Sequence, residues 1–224
     1  MSEQVLPFYL VCDESWSMEG PDGVDAINGC LPDLHREIGS NPVVADKTRF
    51  CIISFNHEAQ VLLPLADLSE LTTMPAMSAN GGTEYGTVFN LLRSTIEQDV
   101  ARLKQDGHQV LRPAVFFLSD GQPNDSADWH VAYQRVIDPS WSARPNILAF
   151  AFNEADEGII KQIATVRAFS YNGTLKPAQA LQEFAQSLIR SIVRSGTSGG
   201  ADGGMTLAMP DTVPGFTTIP ADVV

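Results

Sequence analysis

The sequence has few basic residues and no long apolar run. Its 224 residues include 14 Lys and Arg against 27 Asp and Glu, which gives a net charge of −13. Nucleic acids and anionic membranes are bound through clustered basic residues, so this charge argues against both as partners. The first apolar run, Val5 to Cys12, is too short for a signal peptide or a membrane span, and no basic segment precedes it. The sequence therefore predicts a cytoplasmic protein.

Cysteine is scarce as well, and several catalytic motifs are missing. Cys12, Cys30 and Cys51 are odd in number and form no Cys-x-x-Cys pair, so we interpret them as buried free thiols. No His/Glu pair has the spacing of zinc proteases. There is also no Gly-x-x-x-x-Gly-Lys-[Ser/Thr] motif, which excludes a P-loop nucleotide hydrolase.

Short apolar runs alternate with amphipathic helical segments from the beginning of the chain to about residue 194. Ala114–Leu118 and Ile147–Phe152 are apolar at every position, as strands covered on both faces are. Residues 49–55 and 59–65 flank a tight turn and predict an antiparallel pair. The alternation predicts an α/β fold with a mostly parallel central sheet and helices on both faces.

The composition changes at residue 195. A stretch rich in glycine and serine, Gly196 to Gly204, is followed by three prolines and no basic residue. We therefore predict a domain over residues 1–194 and a Gly/Pro-rich flexible C-terminal tail over residues 195–224. An extra edge strand at Met205–Met209 is the less favoured alternative, because isolated short strands are marginal.

Five side chains with oxygen donors lie where strands end or where a helix begins. Asp13, Ser15 and Ser17 follow the first strand, Thr83 precedes the second long helix, and Asp120 follows a buried strand. Ligands of such sheets bind outside the carboxyl ends of the strands. Oxygen donors without His or Cys suit Mg²⁺, with Mn²⁺ and Ca²⁺ next, and disfavour Zn²⁺. The sequence predicts that these five residues bind a metal.

Three neighbouring side chains have alternative interpretations. Trp16, between the two serines, is either a partly exposed anchor for a partner or packs over the first helix. Glu84 is interpreted as a favourable charge at a helix N-terminus, with capping preferred to ligation. Asn124 either rims the site or caps the next helix.

These residues, with the phrases around them, resemble the von Willebrand factor type A domain and its metal-ion-dependent adhesion site. The phrases are Phe8 to Met18 (FYLVCDESWSM), Ile52 to Phe55 (IISF), Gly81 to Thr83 (GGT) and Leu118 to Pro123 (LSDGQP). Within that family they are similar to the bacterial intracellular, TerY-like branch that is associated with tellurite-resistance and stress gene clusters. The resemblance covers roughly residues 5–194.

The resemblance implies a Rossmann-like sheet with one antiparallel edge strand. It implies Mg²⁺ bound directly by Ser15, Ser17 and Thr83, with Asp13 and Asp120 acting largely through water. It also implies a partner protein that supplies an Asp or Glu as the last ligand. Family members often work beside protein kinases, phosphatases or AAA-type ATPases.

The leading functional prediction is a non-enzymatic, Mg²⁺-dependent protein-binding module for adhesion or assembly. The alternative is a Mg²⁺-dependent phosphatase or phosphotransferase that uses Asp13 as nucleophile. Ser15 stands where an Asp-x-Asp motif would have its second carboxylate, which counts against that alternative. A third possibility keeps the fold, treats the metal as incidental and assigns partner binding to residues 195–224.

Overall fold

The computed structural model describes residues 3–124, 129–153, 155–197 and 207–219, and within these ranges its centre is one eight-stranded sheet. The strands are β1 (Gln4–Asp13), β2 (Thr48–Phe55), β3 (Ala59–Ala66), β4 (Gln109–Val110), β5 (Ala114–Ser119), β6 (Asn146–Ala151), β7 (Arg167–Tyr171) and β8 (Phe216–Ile219). Their spatial order is β3-β2-β1-β5-β6-β7-β8, and the short β4 pairs with the beginning of β1.

Helices cover both faces of the sheet. They are α1 (Val24–Gly39), α2 (Pro42–Lys47), α3 (Tyr85–Gln105), α4 (Trp129–Ile137), α5 (Glu157–Ile163) and α6 (Pro177–Thr197). The apolar sides of α1 and α6 form one core with the sheet, and those of α3, α4 and α5 form a second core on the opposite face. Every residue of β5 is buried, because this central strand is covered by both layers.

The predicted fold class is confirmed. Strands β2, β1, β5, β6 and β7 run parallel, while β3 pairs antiparallel with β2 at one edge. The carboxyl ends of the parallel strands therefore meet at one edge of the sheet, which we call the carboxyl edge. After β1, β5, β6 and β7, the helices α1, α4, α5 and α6 return the chain to the opposite edge.

The C-terminal segment differs from the flexible tail expected from residue 195. Helix α6 continues to Thr197, and β8 pairs antiparallel with β7 as a second edge strand. The alternative strand at Met205–Met209 is not where the sheet is extended, and its first two residues lie outside the described ranges. Val213 and Phe216 are only 2% and 7% exposed, so burial of these two side chains holds the segment against the domain.

Candidate metal centre

Neighbouring elements bring the five predicted ligands to the carboxyl edge. Asp13 is the last residue of β1, and Asp120 directly follows β5, which pairs with β1. Thr83 lies just before α3, whose N-terminus is attached to this edge by a hydrogen bond from Glu84 N to Asn56 O at 2.8 Å. The topology thus places side chains that are far apart in sequence at the ends of adjacent strands.

Four of the five residues are joined by a chain of hydrogen bonds. Ser15 N donates to Asp13 Oδ1 at 2.9 Å, which turns the backbone directly after the strand. The hydroxyls of Ser15 and Ser17 are 2.9 Å apart, and Ser17 Oγ donates to Asp120 Oδ1 at 2.7 Å. A short 3₁₀ turn at Trp16–Met18 puts the two serine side chains on the same side of the loop.

Thr83 approaches this group from the opposite loop. Among the described residues it makes no side-chain hydrogen bond to the other four ligands, but it packs against the residue that follows Asp120. A Cβ atom added to Gly121 would lie 2.9 Å from Thr83 Oγ1, so only glycine allows this close approach. The hydroxyl of Thr83 is therefore held beside the Asp120 backbone.

Asn124 joins the loop before α3 to the loop after β5 and lies beside Thr83, which agrees with the first of its two alternatives, the rim of the site. Its Oδ1 accepts a hydrogen bond from Thr83 N at 2.7 Å, and its backbone N donates to Thr83 O at 2.7 Å. A Cβ on Gly82 would lie 2.6 Å from Asn124 Oδ1, so Gly82 is required for this bridge. Residues 125–128, on which the capping alternative depends, lie outside the described ranges.

We expect Asn124→Ala to weaken divalent-metal affinity by about tenfold or more, as loss of outer-shell support does at other metal sites. The chain should still fold, because Asn124 is exposed. Titration calorimetry with Mg²⁺ checks this, with Gln122→Ala in the same exposed loop as the matched control. Equal metal affinity in both variants would show that the bridge does not position Thr83.

The two carboxylates are buried without a cationic partner. Asp13 is 0% exposed and Asp120 is 3% exposed, and in the described parts of the chain neither forms an ion pair with Lys, Arg or His. Burial raises the pKa of Asp13 above its usual value of 3.8. Burial, with the Asp13 charge nearby, raises the pKa of Asp120 to about 6. A bound divalent cation would offset both charges, so the residues present fit a metal ion.

Three supporting residues carry no pattern in the sequence that reveals their role. Ser119 Oγ donates to Asp13 Oδ2 at 2.6 Å, and Tyr85 Oη donates to Ser119 Oγ at 2.9 Å. Asn153, which has a φ of 48°, hydrogen-bonds the Asp120 carboxylate through its side chain. These contacts join residues from separate elements, the ends of β1 and β5, the beginning of α3 and the loop after β6. A sequence signal for them would require knowing how these elements are placed relative to one another.

The remaining predictions at this edge have different outcomes. Trp16 is 58% exposed, which agrees with the exposed alternative rather than with packing over the first helix; its role as an anchor for a partner stays a prediction. Glu84 occupies the N-cap position of α3, but its side chain makes no capping hydrogen bond. Within the described ranges, no group of three or more His, Cys, Asp or Glu is arranged to hold a metal ion. The predicted metal ligands at the carboxyl edge are instead three hydroxyls and two carboxylates.

The fold and this edge define a doubly wound α/β domain whose loops converge oxygen donors on one point. The family model of the von Willebrand factor type A domain matches residues 8–188. The chain belongs to this family. No curated protein is similar enough in sequence to count as a relative.

Solved structures share the fold at low sequence identity. One is proximal thread matrix protein 1 from the mussel byssus, in a form whose MIDAS motif (the metal-ion-dependent adhesion site) is occupied by zinc. It has 14% sequence identity and a TM-score of 0.59, and the match covers 86% of this chain and 48% of that one. A von Willebrand factor type A protein from Catenulispora acidiphila has 16% identity and a TM-score of 0.54, and the match covers 84% of this chain and 43% of that one. The ArnB paralog VWA2 from Sulfolobus acidocaldarius has 16% identity and a TM-score of 0.52, and the match covers 84% of this chain and 45% of that one. The chain thus spans less than half the length of these three.

No helix in the described ranges combines the length and the apolar character needed to cross a membrane.

Proposed function

We propose that the chain is a Mg²⁺-dependent protein-binding module. Asp13, Ser15, Ser17, Thr83 and Asp120 would hold the ion, and an Asp or Glu of a partner protein would complete its coordination. One observation carries the proposal: two adjacent buried carboxylates without a cationic partner lie among three hydroxyls at the carboxyl edge. When bound, the ion supplies an electrophilic centre for an external carboxylate.

The chemistry of the donors supports Mg²⁺ over the zinc found in the mussel protein. All five donors are hard oxygen atoms, and neither the histidine nitrogen nor the thiolate that zinc favours is among them. Mn²⁺ and Ca²⁺ also take oxygen ligands and are the next candidates. The mussel structure supports a divalent ion at this place in the family and leaves the choice of ion to measurement.

The geometry of Asp13 supports binding rather than catalysis. Both of its carboxylate oxygens accept hydrogen bonds, one from Ser15 N and one from Ser119 Oγ, and the side chain is fully buried. A nucleophile needs an accessible lone pair aimed at the substrate, so Asp13 is poorly placed for phosphoryl transfer. Metal-dependent turnover of a generic phosphate ester that is lost in Asp13→Asn would establish the enzymatic alternative.

The cellular setting is proposed from the sequence motifs alone. We propose a TerY-like role in a bacterial tellurite-resistance or stress system, with a kinase, phosphatase or ATPase of that system as partner. A cytoplasmic location is supported by Cys12, Cys30 and Cys51, which are all free and buried. Nucleic acid and membrane are not among the proposed partners.

The test combines a metal titration with partner capture. Calorimetric titration of the metal-free chain with Mg²⁺, Mn²⁺, Ca²⁺ and Zn²⁺ should give saturable binding that Asp13→Ala removes. Capture from the native lysate is then run with the natural chain in Mg²⁺, the natural chain in EDTA, and Asp13→Ala in Mg²⁺. A partner found only in the first sample supports the proposal. The same partners in all three samples would contradict it.

A further inference from the structure

Charge is strongly divided between the two edges of the sheet. Of the 14 Lys and Arg residues, all within the described ranges, Lys176 alone lies in a loop at the carboxyl edge. The others lie within helices, near the beginning of strands, or just before strands at the opposite edge. Exposed carboxylates at the carboxyl edge are more numerous: Glu19, Asp22, Asp25, Glu58, Asp156 and Glu157.

Helix dipoles account for only part of this division. Asp25 and Glu157 lie in the first turns of α1 and α5, where a negative charge is favourable. Glu19 and Glu58 lie in the loops that follow β1 and β2, outside any helix. Neither side chain makes a hydrogen bond or ion pair in the described structure. Both carboxylates therefore remain available at the carboxyl edge.

Trp16 adds an aromatic surface next to these charges. Its backbone N donates to Gly81 O at 3.0 Å, which fixes it between the two serine ligands. Glu19 N in turn donates to Trp16 O at 3.1 Å, so the backbone of the acidic residue lies one 3₁₀ turn after Trp16. In the described ranges, Trp16 is the one aromatic residue among the large hydrophobics that are exposed. An exposed indole beside a carboxylate is a favourable contact surface for Arg or Lys.

A bound divalent ion does not make this edge neutral. Its two positive charges match the two buried carboxylates of Asp13 and Asp120, so the exposed carboxylates around them stay uncompensated. A partner segment that is acidic throughout would be repelled by this surround. A segment with cationic side chains beside its carboxylate would be attracted.

We propose that the partner presents an Asp or Glu flanked by Arg or Lys, so that the carboxylate reaches the metal while a cationic neighbour contacts Trp16, Glu19 and Glu58. This inference rests on the proposed function, since it names the chemistry of the segment that the metal centre binds. It assigns specificity to residues that are not metal ligands. The carboxylate gives metal dependence, and the flanking charges select among acidic segments.

Fluorescently labelled peptides of equal length test the inference. Each carries one central Asp, flanked on both sides by Arg, by Ser or by Glu, and binding is followed by anisotropy in Mg²⁺ at low salt. We expect the Arg-flanked peptide to bind about tenfold or more tightly than the Glu-flanked one, with the difference shrinking at high salt. The Arg-flanked peptide with Asn in place of Asp, and the original in EDTA, should both bind much more weakly.

Variants locate the selection on the protein. Glu19→Lys combined with Glu58→Lys should remove or reverse the preference for Arg, and Trp16→Ala should weaken binding of the Arg-flanked peptide. Glu37→Lys is the matched control, because Glu37 is exposed near the end of α1 at the opposite edge. It should leave the preference unchanged, and an equal loss in this variant would overturn the inference.

The two possible failures are distinguishable. Mg²⁺-dependent binding that is the same for all three peptides overturns the charge selection and leaves the proposed function standing. Absence of Mg²⁺-dependent binding for every peptide overturns both.

Discussion

Replacing Asp120 by asparagine is expected to raise the melting temperature of the metal-free protein and to abolish its stabilisation by Mg²⁺. The amide has the same shape as the carboxylate, and its Oδ1 retains the hydrogen bond from Ser17. It removes a buried negative charge close to Asp13. In EDTA at pH 7 the buried charge destabilises the folded protein, whereas in Mg²⁺ the same carboxylate is a ligand of the ion.

The expected magnitudes follow from the shifted pKa. A rise from 3.8 to about 6 corresponds to on the order of 3 kcal/mol at pH 7, and the amide recovers a part of it. We expect the melting temperature in EDTA to increase by about 3–6 °C. The natural chain should gain about 2.7 kcal/mol in Mg²⁺ at 100 times the dissociation constant, and the variant should gain almost nothing.

The pH dependence has a fixed sign. The pKa of Asp120 is higher in the folded protein than its value of 3.8 in the unfolded chain. Its contribution to folding stability is therefore fully present at pH values below 3.8. That contribution is lost as the pH rises through about 6, so the metal-free natural chain should lose stability over this window. Asp120→Asn should lose less, since its side chain does not titrate.

Thermal melts from pH 4 to pH 8, with and without Mg²⁺, measure both effects. Asp106→Asn is the matched control, because Asp106 is exposed at the end of α3 and its side chain makes no hydrogen bond or ion pair in the described structure. It should behave as the natural chain does. An undiminished Mg²⁺ shift in Asp120→Asn would remove Asp120 from the metal centre.

The sequence predicts the central part of the fold because its pattern there is local and strong. The runs at Ala114–Leu118 and Ile147–Phe152 are apolar at every position, and only a strand covered on both faces buries all of them. The five candidate ligands also follow from the sequence, since each lies next to a strand end or a helix beginning. Strand direction then places Asp13 and Asp120 at one edge, whereas Thr83 is placed there by the beginning of α3.

The surroundings of the site are not predictable in the same way. Asn124 bridges to Thr83 across 41 positions of sequence, and Ser119 reaches Asp13 across 106. Asn124 lies in a loop and Ser119 at the end of β5. In the sequence, each is a small polar residue at which a cap, a turn or an exposed side chain fits equally well. Their roles become visible only when the separation and orientation of the loops are known.

Strand β8 shows the same limit at the edge of the sheet. Its four residues, Phe-Thr-Thr-Ile, are too few for a clear alternation and follow a stretch rich in glycine and proline. Composition therefore favours a flexible tail, which is what we expected. Tertiary packing places this segment on the sheet instead. Phe216 contacts Phe150 and Tyr171, whose ring centroids lie 5.5 and 6.2 Å from its own.

We expect Phe216→Ala to lower the free energy of unfolding by about 3 kcal/mol, as removal of a buried phenylalanine does. In a chain of this size, that loss lowers the melting temperature by roughly 6–12 °C. Deletion of residues 207–224 should cost more, because it also removes buried Val213 and the hydrogen bonds of Ala208 to Ser191 and Ser195. Chemical denaturation of both variants measures these losses.

Thr218→Ala is the control for Phe216→Ala, since Thr218 is exposed in the same strand and its substitution should change stability by less than about 0.5 kcal/mol. If the deletion left the unfolding transition unchanged, the segment would be a free tail and available to bind a partner, as the third sequence hypothesis holds. The packing of Phe216 argues for the opposite result. An edge strand buried against β7 completes the domain, which leaves the carboxyl edge, with the exposed Trp16, as the surface to which we assign the proposed partner binding.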